Sequence, residues 1–418
     1  MHRVPQKDAG PQGLSRPGVE RDVSSGALRP GDPLGVYVHF PFCSVRCPYC
    51  DFAVDTRSEI PHDAYAEAVV AEIEARAPWF DGAGPLASIY FGGGTPGLWR
   101  PAALGRVIEA ARRVFGERPA AELEITVEVN PGEIDADRLR ALRSQGANRL
   151  SIGVQALEDR LLVALGRNHD ATAGPAAMAA AREAGFDNFS VDLIFGVPGQ
   201  SLDDWRRDVD AIVALRPAHL SAYALTIERG TVFGARDRAG GLPRPDDEAV
   251  AAMFEHARAA FAAAGLTPYE VSSYARPGRR ARHNQLYWTL APYLGVGASA
   301  ASFRPLADGG GWRFSNPRAT DVYLQAARAG AGSPAVRHVE RRTAGDLENE
   351  ALWLGLRTAD GIDRAAHRRR HGRDPLAGRE AAAGAAQSSG WLEIDDARLR
   401  LTPAGLLFAD EIATRLWL

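Results

Sequence analysis

The sequence predicts an α/β protein, a partial (β/α)6 barrel followed by a small, mostly helical, winged-helix-like C-terminal domain. Its 418 residues allow two or three domains of about 150 residues each. Short segments rich in β-branched and aromatic residues alternate with segments whose apolar residues recur every three or four positions. After about residue 335 this alternation gives way to helical sequence rich in Arg and Ala, which indicates a second domain.

Six strands and the helices between them form the predicted barrel. The strands are residues 36–40, 88–91, 124–129, 149–154, 189–195 and 219–225. The clearest helices are residues 62–76, 101–115, 135–145 and 201–215. Repeated β/α units form a parallel sheet, and functional groups follow the carboxyl ends of its strands. We therefore expect one active edge.

The sequence beyond the sixth strand predicts a helix at 246–264, a strand at 269–274 and a glycine turn at 295–298. A hairpin within 390–401 and a closing helix are typical of a winged-helix-type domain. The first 33 residues are rich in Pro, Gly and Ser without an apolar run, which favours disorder. The predicted domains are a disordered leader (1–33), the barrel (34–265), a barrel extension (266–334) and the C-terminal domain (335–418).

The charge balance excludes several classes of function. Lys and Arg number 49 against 52 Asp and Glu, so no global positive field attracts nucleic acid or acidic lipid. Lys7 is the only lysine, which excludes a phosphate-binding lysine, a Schiff base and a lysine general base. No stretch approaches about 18 uncharged apolar residues, so we expect a cytoplasmic protein without a membrane span.

All three cysteines, Cys43, Cys47 and Cys50, fall within eight residues directly after the first strand. An odd number of clustered thiols without an export signal argues against disulfides and indicates one inorganic centre. Chance clustering is one alternative, and zinc completed by a histidine such as His39 is another, although closed zinc sites usually take two separated ligand pairs. Three thiolates leave one position open, and a 4Fe–4S cluster held this way keeps one iron free for another ligand.

Glycines and polar residues follow the other strands at the same predicted edge. Residues 92–94 are glycines, which allow the backbone to approach a ligand closely. Glu128 lies near the end of the third strand, where a buried carboxylate would be costly without a partner. The other members of this expected polar cluster are Gln155, Arg167 and Asp192.

The spacing Cys-x3-Cys-x2-Cys, with Tyr49 before the last cysteine, resembles the radical S-adenosylmethionine (SAM) superfamily. The resemblance implies a radical SAM barrel in which Cys43, Cys47 and Cys50 hold a 4Fe–4S cluster. It also implies that S-adenosyl-L-methionine binds the free iron, where electron transfer from the cluster cleaves its sulfonium.

The resemblance extends over nearly the whole chain to the oxygen-independent coproporphyrinogen III oxidase (HemN) family. The segments that carry it are residues 37–43, 91–96, 128–131, 151–155 and 192–200. The C-terminal region also resembles that family's additional domain. The SAM contacts implied by these motifs are Tyr37, Tyr49, Gly93, Gly94, Thr95, Glu128, Gln155, Arg167, Asp192 and Ala224.

Two features separate the sequence from the oxidase itself. The oxidase motif continues with a fourth cysteine, where this chain has Phe52. The pattern His283-Asn-Gln-Leu-Tyr287-Trp288 resembles the signature of heme chaperones related to the oxidase. Imidazole is a natural axial ligand of heme iron, and the two aromatic side chains could flank the macrocycle. Tyr287 could also be the axial ligand, and an ordinary loop histidine bonded to backbone is the alternative to heme contact.

The resemblance favours a chaperone that carries the cluster and SAM, binds heme as cargo and transfers it to acceptor hemoproteins. No catalytic residue is assigned. The alternative is the oxidase reaction, radical decarboxylation of two propionates of coproporphyrinogen III. Nucleic-acid binding by the arginines of residues 364–373 is disfavoured by the acidic net charge, and a solvated helix face is simpler. A homodimer and peripheral membrane contact remain open.

Overall fold

The computed structural model describes residues 19–116, 122–328 and 336–418. Its strands are β1 (Leu34–Phe40), β2 (Leu86–Gly93), β3 (Glu124–Val129), β4 (Arg149–Gln155), β5 (Phe189–Phe195), β6 (His219–Ala224), β7 (Thr267–Pro268), β8 (Ser273–Ala275), β9 (Tyr293–Val296), β10 (Ala301–Pro305), β11 (Gly311–Ser315), β12 (Arg337–Arg342), β13 (Ile362–Asp363), β14 (Leu392–Ile394) and β15 (Arg398–Leu401).

The α-helices in these ranges lie outside the barrel or in the C-terminal domain, apart from a short helix described below. They are α1 (Val19–Ser24), α2 (His62–Arg76), α3 (Pro101–Phe115), α4 (Ala136–Ser144), α5 (Asp159–Ala164), α6 (Ala173–Glu183), α7 (Leu202–Ala214), α8 (Val232–Arg238), α9 (Asp247–Ala263), α10 (Arg282–Trp288), α11 (Thr320–Arg328), α12 (Ala344–Leu356), α13 (Arg364–His371), α14 (Glu380–Ser388) and α15 (Ala409–Arg415). None of the helices in the described ranges has the length and apolar character needed to cross a membrane.

The barrel sheet confirms the predicted β/α architecture. Strands β1 to β6 lie side by side in chain order and run parallel. Strands β3 and β5 and helices α2 and α3 have the bounds that the sequence pattern predicts. Because the six strands are parallel, the loops that carry the unusual residues all leave from one edge.

The sheet extends beyond the six predicted strands on both sides. Strand β9 pairs in parallel with β1, with Gly295 opposite Tyr37, and β10 to β12 continue antiparallel. At the other edge the prediction of one strand over residues 269–274 was wrong. Two short antiparallel strands, β7 and β8, form this edge instead. In the turn between them the Glu270 carboxylate accepts the Ser272 amide at 3.0 Å.

The leader expected to be disordered over residues 1–33 is structured in its described part. Residues 1–18 lie outside the described residues. The chain then forms α1, Val23 is fully buried, and Leu28 forms an antiparallel bridge with Leu306. These apolar residues are isolated in the sequence and form no periodic run, so composition alone does not reveal their packing.

Two large apolar cores and a smaller cluster that contacts Tyr49 lie in the described residues. One lies between the barrel sheet and its helices and encloses Trp99 and Trp205 completely. The other belongs to the C-terminal domain, where helices α12 to α15 pack on a small antiparallel sheet of order β13-β15-β14, as a winged-helix-like unit should. It includes Leu290 and Phe303 of the barrel extension. The predicted boundary between these parts falls in residues 329–335, outside the described residues.

Candidate functional site

The three cysteines lie on the loop that leaves the carboxyl end of β1. The loop is anchored to itself, because the Cys43 amide donates to the carbonyl of Asp55 at 3.0 Å and the Asp55 amide donates to that of Pro41 at 2.8 Å. All three thiols are free and partly buried. The structure thus places the predicted iron ligands together on one anchored loop at the expected edge.

Two cysteine thiols contact residues of other loops at this edge. The Thr95 hydroxyl donates to Cys43 Sγ at 3.5 Å, and a guanidinium N–H of Arg167 donates to Cys47 Sγ at 3.8 Å. Burial raises the pKa of the Cys43 thiol to about 11, although the Thr95 hydroxyl opposes this shift. Iron ligation requires the thiolate, so metal binding at this loop would release protons.

The arrangement of the side chains disfavours a zinc site and is compatible with a 4Fe–4S cluster. In the described ranges no three His, Cys, Asp or Glu side chains converge where one metal ion could bind, as zinc would require. His39 has both ring nitrogens engaged, at 3.1 Å from the Tyr37 hydroxyl and 3.1 Å from the Ala53 carbonyl. A 4Fe–4S cluster carries its thiolates on different irons, so three thiols on one loop fit its donor requirement.

The glycines at the end of β2 lie tightly against the start of the cysteine loop. Gly93 has a φ of +109°, and a Cβ there would lie 2.5 Å from the His39 ring. A Cβ on Gly94 would lie 2.7 Å from the Phe42 carbonyl, while its amide donates to the Phe40 carbonyl at 2.8 Å. The backbone therefore approaches the site where any larger residue would clash.

Glu128 lies close to the end of β3 and faces this glycine segment. Its carboxylate accepts the Tyr90 hydroxyl at 2.7 Å and the Gly93 amide at 3.1 Å. Burial raises the pKa of Glu128 to about 7, and the Asp192 charge adds to the rise, while the two hydrogen bonds oppose it. A carboxylate kept near its titration point is suited to meet an ammonium or a ribose hydroxyl.

A chain of hydrogen bonds connects the cysteine loop to β3 and β4. Arg167 donates to Asn130 Oδ1 at 2.5 Å and to the Gly153 carbonyl at 3.0 Å, in addition to its contact with Cys47. The Asn130 amide in turn donates to Thr95 Oγ1 at 2.9 Å. Within the described residues, the buried Nε of Arg167 has no partner, which leaves one donor for a ligand.

Asp192 and Gln155 lie on the neighbouring strands β5 and β4. Asp192 accepts the hydroxyls of Ser151 at 2.6 Å and Ser190 at 3.0 Å. Gln155 has a φ of +68°, a left-handed conformation that costs energy in a residue other than glycine. Such strain is concentrated at functional sites, where the surroundings enforce it.

Two other predicted contacts, Tyr49 and Ala224, border the site. Tyr49 precedes the last cysteine, and burial raises the pKa of its hydroxyl, which lies beside Arg167 and Cys47. Its ring centroid is 6.3 Å from that of Phe233. Ala224 ends β6 and is exposed, so its backbone is accessible to a ligand.

The histidine of the predicted heme motif lies inside the barrel rather than at its surface. Helix α10 places His283 and Tyr287 on one face, and His283 is 1% exposed. Its Nδ1 lies 2.8 Å from the Ser88 hydroxyl, and its Nε2 lies 2.9 Å from the Tyr287 hydroxyl. The His283 ring stacks on Tyr90, with centroids 5.1 Å apart. Both nitrogens are therefore engaged in this conformation.

The heme contact of His283, Tyr287 and Trp288 stays a prediction. Burial lowers the pKa of His283 to about 3, so its imidazole is neutral, as a metal ligand must be. An axial bond would require His283 to give up the Ser88 or the Tyr287 hydrogen bond. Trp288 packs partly buried against the C-terminal core.

Sequence reasoning missed Tyr90 and Asn130 as members of the site and considered His39 only as a zinc ligand. Tyr90 lies two residues before Gly92 on β2, so strand alternation could have placed it on the inner face beside Glu128. Asn130 directly follows β3 in the segment compared with the oxidase family, yet nothing in its local sequence indicates that it links Arg167 to Thr95.

Family profiles match both parts of the chain. The Radical SAM superfamily profile matches residues 37–212, and the HemN C-terminal domain profile matches residues 343–408. The solved structure of coproporphyrinogen III oxidase (HemN) from Escherichia coli, titled as a radical SAM enzyme, superposes with a TM-score of 0.78 at 25% identity. The match covers 94% of this chain and 91% of the oxidase. The fold and the three-cysteine edge define a radical SAM protein of the HemN type.

Relatives named "Heme chaperone HemW" match along most of their length. The protein from Mycobacterium tuberculosis is 36% identical over 393 residues, 93% of this chain and 96% of the relative. That from Synechocystis is 37% identical over 79% of both chains, and that from Escherichia coli is 37% identical over 70% of this chain and 76% of the relative. The chain belongs to the HemW family.

Proposed function

We propose that this protein is a heme chaperone that binds heme and transfers it to acceptor hemoproteins. Membership in the HemW family, whose named members are heme chaperones, is the observation that carries the proposal. The chain also has Phe52 where the oxidase motif has a fourth cysteine. The residue is 46% exposed and cannot act as a thiol, which favours the chaperone over the oxidase.

We further propose that Cys43, Cys47 and Cys50 hold a 4Fe–4S cluster and that SAM binds beside it. A bound cluster would supply low-potential electrons to SAM. The Arg167 cation beside Cys47 would stabilise thiolate charge, and Glu128 would accept a hydrogen bond from the ammonium or a ribose hydroxyl of SAM. Because the thiols must stay reduced to hold iron, we place the protein in the cytoplasm.

The experiment that tests the chaperone function is an anaerobic heme titration of cluster-reconstituted protein, followed by desalting and a visible spectrum. We expect a stoichiometric Soret band that stays with the protein and decreases when an apo-hemoprotein acceptor is added. If the wild-type protein retains no heme, the oxidase becomes the better explanation, and turnover of coproporphyrinogen III becomes the deciding assay.

Replacing one cluster ligand separates the cofactor proposal from the heme proposal. Cys47→Ala should abolish the broad iron–sulfur absorbance in the visible region, because two thiolates on this loop cannot hold the cluster stably. Iron content and absorbance of reconstituted protein are the measurements, and Phe52→Ala on the same loop is the matched control, expected to keep both. Full iron content in Cys47→Ala would exclude this cluster site.

A further inference from the structure

Arg149 begins β4 and carries its guanidinium into the interior of the barrel. The residue is 2% exposed, and its Nε atom is buried without a hydrogen-bond partner. Among the residues that the structure describes, no hydrogen bond, ion pair or ring stacking engages this guanidinium. Burial removes the hydration of a cation, so an uncompensated guanidinium here is unfavourable.

Arg149 differs from other deeply buried arginines in the described residues, whose guanidinium groups donate hydrogen bonds to carbonyl or carboxylate oxygens. Arg304 donates to the carbonyls of Ser25 at 2.8 Å and Gly26 at 2.6 Å, and Arg379 donates to Glu348 at 3.0 Å. Protein groups satisfy these guanidinium groups completely or in large part. Among the described residues, no acidic side chain pairs with the Arg149 guanidinium in this way.

Three of the groups beside Arg149 are neutral. Its register neighbour on β3 is Thr126, whose buried hydroxyl also has no partner in the described ranges. His219 and His283 lie close enough for the Arg149 charge to lower their pKa values, after the larger effect of burial. Both histidines are therefore neutral and offer no negative charge.

Three buried carboxylates of this region accept hydrogen bonds from other groups. Glu124 accepts the amides at the start of α10, those of Arg282 at 2.9 Å and His283 at 3.3 Å. Asp192 accepts the two serine hydroxyls described above, and Glu270 accepts the Ser272 amide. None of the three forms an ion pair with the guanidinium in the described structure.

We propose that the barrel interior binds a singly charged anion, a carboxylate or a halide, between the Arg149 guanidinium and the Thr126 hydroxyl. A carboxylate is the natural partner of a guanidinium fork, which donates two parallel hydrogen bonds to it. Two sources share this chemistry: a free small anion, or a propionate of the heme cargo. The second source rests on the proposed heme binding, whereas the first does not.

Bromide tests the site in the wild-type protein without any substitution. Crystals soaked in sodium bromide should show an anomalous peak within hydrogen-bond distance of Arg149. In solution, formate should raise the melting temperature by a few degrees above that in gluconate at equal ionic strength, because a ligand of the native state alone stabilises it. This increment should vanish in Arg149→Met and persist in Arg279→Met, whose arginine pairs with exposed Asp187 at the surface.

The source of the anion is identified by comparing how heme and heme dimethyl ester, which lacks the propionate charges, bind to the wild-type protein and to Arg149→Met. If a propionate occupies the site, Arg149→Met should weaken heme binding at least tenfold and leave ester binding unchanged. If a free anion occupies it, both ligands should bind the variant and the wild-type protein alike. Absence of a bromide peak together with equal formate effects in wild type and Arg149→Met would overturn the proposal. A protein that bound no heme would contradict the chaperone function alone, since the bromide result stands without heme.

Discussion

The carboxylate of Glu128 lies in surroundings that oppose its charge. Burial and the neighbouring Asp192 raise its pKa to about 7, although Tyr90 and Gly93 donate hydrogen bonds to it. The native state therefore retains a proton that the unfolded state releases above about 4.5. Stability from this group is present below pH 4.5 and is lost as the pH rises through 7. Above about pH 7 the site therefore holds a buried anion at a cost to stability, and a bound cation would offset that cost.

Glu128→Gln should increase the stability of the protein and weaken its binding of SAM. Above pH 7 the variant should be about 1 kcal/mol more stable than wild type, since removing the charge penalty outweighs the loss of one hydrogen bond. Its SAM affinity should fall at least tenfold, because the amide cannot attract an ammonium. Urea unfolding across the pH range and calorimetric titration with SAM measure the two effects.

The sign of the pH dependence is the control for this prediction. The stability difference between variant and wild type should grow from pH 4.5 to about 7 and then stay constant. A difference that does not change with pH would mean that Glu128 titrates normally in the native protein. Unchanged SAM affinity would remove Glu128 from the ligand site.

Helix α10 is the element whose position the sequence did not reveal. The sequence shows the motif, but its histidine bonds to Ser88, 195 residues earlier in the chain. Helical spacing alone puts His283 and Tyr287 on one face, since they are four residues apart. Whether that face meets solvent or the barrel interior depends on tertiary packing, which local sequence does not encode.

Tyr287→Phe should distinguish the two candidate heme ligands on α10. If His283 Nε2 binds the iron, removing the hydroxyl that occupies it at 2.9 Å should keep or increase the heme affinity. If the Tyr287 oxygen is the ligand, the same change should abolish the Soret band. Heme titration with the visible spectrum measures this, and Ser88→Ala, which frees the Nδ1 side only, is the matched control.

The strand-end residues of the site could be predicted because parallel strands end at one edge. The structure does place Glu128, Arg167 and the cysteine loop at this edge, so topology alone brought together residues distant in sequence. The connecting residues could not be predicted in this way. Asn130 matters because its amide meets two side chains from other loops, and such three-way contacts depend on coordinates rather than on residue pattern.

At the scale of the whole molecule, the barrel extension and the C-terminal domain share one set of packing contacts. Leu290 and Phe303 from the extension belong to the C-terminal core. Glu350 on α12 is fully buried and pairs with Arg313 on β11, at 3.0 Å through one oxygen, and with Arg342 on β12 at 2.5 Å. The two parts should therefore unfold together rather than as independent domains.

Glu350→Gln tests this coupling. The substitution leaves two arginines without their shared counter-charge and should cost about 2 to 4 kcal/mol, less than a fully buried pair because both arginines retain some exposure. Glu393→Gln, which breaks a surface pair with Arg400 at 2.7 Å, should cost less than about 1 kcal/mol. Urea unfolding followed by tryptophan fluorescence measures both. We expect one transition, shifted to lower urea, because the two parts share these packing contacts. Trp99 and Trp205 report the barrel, and Trp353 reports the C-terminal core. A separate early transition of the C-terminal core would show that this domain unfolds on its own.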